Sequence, residues 1–122
     1  MIGQWNTYDD RTGDLRSTVN IYEEKGAYQC VITTLYEKDA NGQFKVLHAP
    51  YPKEYEGVVG THLFIGMKVH GDHLKGKIYD PESQKTYHGK ISYHAKTDEL
   101  VVRGSLDKAS LVGRSQTWKR KK

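Results

Sequence analysis

The sequence predicts an all-β chain closed into a small antiparallel up-and-down barrel of about eight strands. Three observations predict it. Apolar and aromatic residues alternate with polar ones at a period of two along most of the chain, as in strands with one buried face. No window of about a dozen residues sustains the three-and-four apolar spacing of an amphipathic helix. Turn-forming clusters recur at short intervals, so strands are joined by hairpins rather than helical crossovers. Closing such a meander removes the two bare edges that an open sheet exposes.

The first strand, Gly3–Tyr8, sets Gly3 and Trp5 on one face. After the turn Asp10-Arg11-Thr12-Gly13-Asp14, the strand Ser17–Glu23 turns Val19 and Ile21 inward, and Glu24-Lys25-Gly26 ends it. The strand Tyr28–Glu37 has Tyr28, Cys30 and Ile32 at one parity and Val31 and Leu35 at the other, so its inward face stays open. The stretch 39–61 then breaks the rhythm with Pro50, Pro52, His48, Tyr51 and Tyr55, and Gln43–Leu47 adds a short strand. A connection this long in a compact domain is typically a lid or binding loop, so a ligand gate is expected here, with an inert packed flap as the alternative.

In the strand His62–His70, Leu63, Ile65, Met67 and Val69 form one row, opposed by His62, Phe64, Gly66 and Lys68. The turn His70-Gly71-Asp72-His73 leads to Leu74–Tyr79, and Asp80-Pro81-Glu82-Ser83-Gln84 leads to Thr86–His94. In the latter strand Tyr87, Gly89, Ile91 and Tyr93 point inward. Asp80 and Glu82 are read as turn chemistry, a carboxylate capping backbone amides beside a φ-fixing proline. After Lys96-Thr97-Asp98 come Glu99–Leu106, with Leu100, Val102 and Gly104 inward, and a final strand Ser110–Lys119.

Composition sets further limits. A chain of 122 residues suits one domain, 1–122. At 36% hydrophobic residues the core is lean and leans on nine Tyr and two Trp, whose polar atoms need partners. The net charge of +4 vanishes once Lys119, Arg120, Lys121 and Lys122 are set aside. The basic character thus belongs to a solvated tail, 119–122, and no nucleic-acid groove is expected. No apolar run approaches the ~18 residues of a membrane span. Met1 sits directly on the first strand, so no signal peptide is expected in this chain.

Few residues invite chemistry. His70-x-x-His73, with Asp72 between, is the densest metal-like cluster, but zinc wants three or four ligands and no third is near in sequence. His88 and His94 share a face six residues apart, roughly 20 Å along a strand, too far for one ion. Cys30, the single cysteine, sits among apolar neighbours and reads as packing rather than as a nucleophile. No phosphate loop, nucleophile elbow or His-Glu-x-x-His is present. The expectation is a protein that is not an enzyme, with no cofactor and no metal.

Gly3-Gln4-Trp5 resembles the opening of calycin barrels, the group that includes lipocalins. More specific are Gly76-Lys77-Ile78-Tyr79-Asp80-Pro81-Glu82-Ser83-Gln84-Lys85-Thr86-Tyr87, Leu100-Val101-Val102-Arg103-Gly104 and Leu111-Val112-Gly113-Arg114-Ser115-Gln116-Thr117-Trp118. With Ser17-Thr18-Val19-Asn20-Ile21-Tyr22, these resemble, in order and over nearly the whole chain, the uncharacterised bacterial family named domain of unknown function 2147. The chain departs from that pattern at Ala49-Pro50-Tyr51-Pro52-Lys53, where the family has an Asn-Pro-Asp element.

The resemblance implies a calycin, lipocalin-like barrel, and a periplasmic or secreted protein whose leader has been removed; the residues themselves leave the cytoplasm open. It also implies a closed barrel end. There Gly3 admits a close approach, Trp5 plugs the end, and Arg114 or Arg120 from the last strand stacks on the indole.

The functional expectation is a barrel mouth that binds a small apolar or amphipathic molecule through Phe64, Tyr79, Tyr87 and Tyr93. One alternative is a filled barrel acting as an envelope-associated or protein-interaction domain. Another is a metal-dependent or hydrolytic enzyme.

Overall fold

The computed structural model describes residues 1–106 and 113–122. Its strands are β1 (Gly3–Tyr8), β2 (Leu15–Glu24), β3 (Ala27–Lys38), β4 (Phe44–Val46), β5 (His62–His70), β6 (His73–Asp80), β7 (Lys85–His94), β8 (Glu99–Ser105) and β9 (Gly113–Arg120). A single turn of 3-10 helix, Lys53–Tyr55, interrupts the connection between β4 and β5. No helix among the described residues is long and apolar enough to cross a membrane.

Eight of these strands close into an antiparallel up-and-down barrel. Each pairs with its sequence neighbours, except that β3 pairs with β5 as well as β2, and β4 hangs from the end of β3 outside the ring. The ring is sealed by β1 against β9, with Trp5 opposite Arg120 and Asn6 opposite Lys119. The Lys121 N–H extends that seam by donating to the Gln4 carbonyl at 3.0 Å. The expected strand Gln43–Leu47 is β4, shorter at both ends. Of the expected last strand, Gly113–Lys119 lies in β9, whereas Ser110, Leu111 and Val112 lie outside the described residues.

Two strands change the face they bury part-way along, and bulges are the reason. In β3, Thr18 pairs with Thr34 but Val19 pairs with Ile32, leaving Thr33 as an extra residue. Its side chain turns out to donate to the Thr18 carbonyl at 3.2 Å. Parity therefore slips by one, so Cys30, Ile32 and Leu35 are all buried, which resolves the ambiguity at that strand.

The simple two-row assignment for β5 is corrected. Cys30 pairs with Phe64 and Val31 with His62, so Leu63 is extra; Tyr28 pairs with Met67, so a second extra residue falls at Ile65–Gly66. Gly66 takes a positive φ of 76° there, and its N–H donates to the Gln29 side chain at 2.9 Å. Leu63, Phe64 and Met67 are consequently all buried, while Ile65 is 72% exposed.

The core runs along the barrel axis from Trp5, Val19 and Ile21 through Cys30, Met67, Leu74, Ile91 and Leu100 to Trp118. Small residues make room for it. A Cβ on Gly89 would fall against Ile78 and 2.8 Å from Met67 Cε, and one on Gly76 would lie 2.9 Å from Met67 Cγ. Cys30 is fully buried, and desolvation pushes its thiol pKa well up, as expected for a packing cysteine.

Candidate functional site

The two ends of the barrel differ. At the end carrying Gly3, the Arg120 guanidinium lies 4.3 Å from the Trp5 ring centroid. Its Nε donates to Asp98 Oδ2 at 2.7 Å and its Nη1 to the Ile2 carbonyl at 3.2 Å. The indole N–H donates to the Met1 carbonyl at 2.8 Å. A Cβ on Gly3 would sit 2.9 Å from Arg120 Nη1, so glycine leaves room for the guanidinium. Tyr93 completes the plug, edge-on to Trp5 at 6.3 Å and donating to Asp98 Oδ1 at 2.8 Å. The Arg120 and Tyr93 hydrogen bonds hold the Asp98 carboxyl below its ordinary range.

At the opposite end the barrel encloses a cavity of about 520 Å³. Its deeper wall is apolar: Ile32 and Leu35 from β3, Leu63 from β5, Ile78 from β6, Val102 from β8 and Trp118 from β9. Thr7 and Ser17 add a polar stripe, their hydroxyls bonded to each other at 2.5 Å. Tyr79, Tyr87 and Gly104 line the wall on the far side.

The rim is charged, and its two described arginines are paired with carboxylates. Arg16 Nη1 donates to Glu82 Oε2 at 2.9 Å. Arg16 sits near the start of β2, and Glu82 sits in the β6–β7 turn. Those elements stand on opposite sides of the ring, so the ion pair crosses the mouth. Arg114 is bonded to Asp10 of the β1–β2 turn. Asp80 is spent on its own turn, accepting from the Glu82 N–H at 3.0 Å and from the Ser83 hydroxyl at 2.9 Å.

The stretch 39–61 is tied to the barrel at this end. Leu47 N–H donates to the Leu35 carbonyl at 2.8 Å, and Gly60 N–H to the Ile32 carbonyl at 2.8 Å. Leu47 is buried, and Val58 reaches the cavity wall.

These positions sort the residues singled out from sequence. Tyr79 and Tyr87 line the cavity. Phe64 does not: the β5 bulges turn it into the core, where it is 2% exposed, and put Leu63 in the wall instead. Tyr93 does not either, because it lies past the midpoint of β7 at the plugged end, 39% exposed. Of the two arginines, Arg120 stacks on Trp5, and Arg114 sits at the cavity rim. His73 Nδ1 lies 3.0 Å from Asp72 Oδ1, with His70 opposite His73 across the hairpin.

Arg16, Leu35, Leu63, Ile78 and Trp118 were not singled out. Bulges shift the parity at Leu35 and Leu63, and which end of each strand borders the hollow depends on how the ring closes. Glu82 was read as a turn residue, and its partner lies across the mouth, a distance in sequence that no local pattern reports.

The family model described as "Uncharacterized protein conserved in bacteria (DUF2147)" matches residues 3–120. The chain belongs to this family. Its fold is shared with a solved structure described as "Protein HP1028 from the human pathogen Helicobacter pylori belongs to the lipocalin family". That protein is 20% identical, with a TM-score of 0.71 over 99% of this chain and 82% of its own. No curated protein matches the chain significantly. A DUF2147 member with one plugged end and one hollow end has the architecture of a lipocalin-like barrel.

Proposed function

We propose that this DUF2147 barrel binds a small apolar or amphipathic molecule in the cavity at its open end, without catalysing a reaction. One observation carries this reading: a hollow of about 520 Å³ whose deep wall is aliphatic and aromatic and whose rim arginines are paired with carboxylates. Sites for small molecules typically span roughly 300–1,000 Å³ with mostly apolar walls and few polar groups. Because Arg16 and Arg114 already have carboxylate partners, neither arginine is left unpaired to attract a strongly anionic ligand. Tyr79, Tyr87 and Gln116 supply the polar contacts that orient a ligand's head, and Val58 brings the 39–61 stretch into the wall. The proposed setting is periplasmic or secreted, as the family resemblance implies.

The test is titration with the apolar dye Nile red, alongside native mass spectrometry of freshly purified protein. Saturable dye enhancement that Val58→Trp abolishes while the thermal melt is unchanged supports the reading. Unsaturable binding, or binding indifferent to Val58→Trp, overturns it.

A further inference from the structure

The sheet registers assemble a basic row that the sequence disperses. Lys68 of β5 pairs with Lys75 of β6, Lys75 with Lys90 of β7, and Lys90 with Arg103 of β8. Four basic side chains thus stand side by side across four neighbouring strands, spanning about 14 Å at the usual strand spacing. The three lysines are exposed and Arg103 is half-buried. Lys77, opposite His88, extends the patch by one row toward the open end.

Like charges directly opposite on adjacent strands cost stability, and neutralising carboxylates normally interleave them. Here they do not. In these four strands the only acidic residues are Asp80, the last of β6, and Glu99, the first of β8. Among the described residues, the ion pairs leave Lys68, Lys75 and Lys90 out. Asp72 in the β5–β6 turn is bonded to His73 and is felt by Lys90 only electrostatically. Acids instead crowd β2, β3 and the loops at the open end, among them Glu23, Glu24, Glu37, Asp9, Asp10 and Asp14. A chain that is neutral without its tail is therefore polarised across the barrel.

We propose that the outer wall formed by β5–β8 docks on an anionic lipid surface. Phosphate headgroups match a row of lysines, which act as point charges and need no fixed fork geometry. Each lysine near such a surface contributes substantially, and several acting together give reversible binding. Ile65, on the same outward side of β5 and 72% exposed, supplies an aliphatic contact at the edge of the row. The row holds no aromatic side chain on which unpaired bases would stack, which favours lipid over single-stranded nucleic acid. The docking does not depend on the cavity holding a ligand.

Co-sedimentation of the full chain with vesicles of phosphatidylcholine alone, and of phosphatidylcholine mixed with phosphatidylglycerol, tests this. The protein is expected to pellet only with the mixed vesicles and to be released by high salt. Lys75→Glu with Lys90→Glu is expected to weaken that binding roughly tenfold or more, with an undiminished melting temperature. Ile65→Ser is expected to weaken vesicle binding while leaving retention on a heparin column unchanged. Lys121→Glu with Lys122→Glu, which alters only the tail, is expected to retain most binding. Failure to pellet with the mixed vesicles, loss that follows the tail variant rather than the wall variant, or vesicle binding indifferent to Ile65→Ser overturns the proposal. So does tighter binding to single-stranded DNA than to mixed vesicles.

Discussion

The Arg120 guanidinium lies 4.3 Å from the Trp5 ring centroid, directly across the β1–β9 seam where the two residues are paired. This contact joins the first strand to the last, so losing it acts on the closure of the whole ring. Arg120→Leu is expected to cost about 1–2 kcal/mol, the scale of a partly desolvated cation–π contact. Arg114→Leu, whose ion pair with Asp10 is largely exposed, is expected to cost less than about 1 kcal/mol. Urea denaturation of the two variants separates them, and equal losses would refute the assignment of Arg120 as the closing residue.

Acid weakens the plugged end and also the turns at the open one. Asp98 is held below the ordinary carboxylate value by its hydrogen bonds from Arg120 and Tyr93, and Asp72 is held down by His73. Asp9 and Asp39 are lowered chiefly by backbone N–H groups in their turns. A carboxyl with a depressed folded pKa stabilises the protein above its unfolded value of 3.8 and loses that contribution as pH falls through the lower folded value. Thermal melts are therefore expected to fall as pH drops below about 4. Asp98→Asn is expected to flatten part of that limb, and an unchanged slope would count against the Asp98 linkage.

Gly89 is needed for its missing side chain. A Cβ there would fall against the Ile78 side chain, 2.5 Å from its Cδ1 and 2.8 Å from Met67 Cε. Gly89→Ala is expected to destabilise by about 1–3 kcal/mol through overpacking. Ile78→Ala should relieve it, so a double-mutant cycle gives a coupling of opposite sign to the single losses. Additive losses would show that the two sites do not share that space.

The Arg16–Glu82 pair crosses the mouth of the cavity, yet both side chains are largely exposed. Glu82→Gln is expected to change stability by less than about 0.5 kcal/mol. Its effect should appear in kinetics, as faster entry of Nile red in stopped-flow mixing with a similar amplitude. An unchanged entry rate would mean that the pair does not restrict the mouth.

Lys90 faces Lys75 on one side and Arg103 on the other. Lys90→Glu replaces two like-charge pairs with two opposite-charge pairs, and is expected to stabilise by roughly 0.5–1 kcal/mol. A rise of a few degrees in melting temperature checks this. A fall would show that the wall carries no repulsion to relieve.

Much of the site was written locally, and some of it was not. Tyr87 was legible because a regular strand keeps its parity, and β7 has no bulge to disturb it, whereas Tyr79 lines the cavity beside its neighbour Ile78, which alternation alone does not explain. Phe64 was misplaced because two bulges in β5 shift parity, and the only local hint was Gly66 inside an otherwise apolar strand. Tyr93 shares a face with Tyr87 but not a height along the axis, so alternation placed it inside without revealing that it joins Trp5 at the plugged end.

What the chain determined by itself was its secondary structure and its order of pairing. Period-two alternation and turn residues act between near neighbours, and a run of hairpins has few ways to arrange itself. The tertiary structure alone decided which end is hollow, that Arg16 meets Glu82, and that Lys68, Lys75, Lys90 and Arg103 stand in a row. Those outcomes depend on stagger and bulges summed around the ring. A shift of one residue in any strand changes which side chains meet across it, and no local stretch of sequence carries that sum.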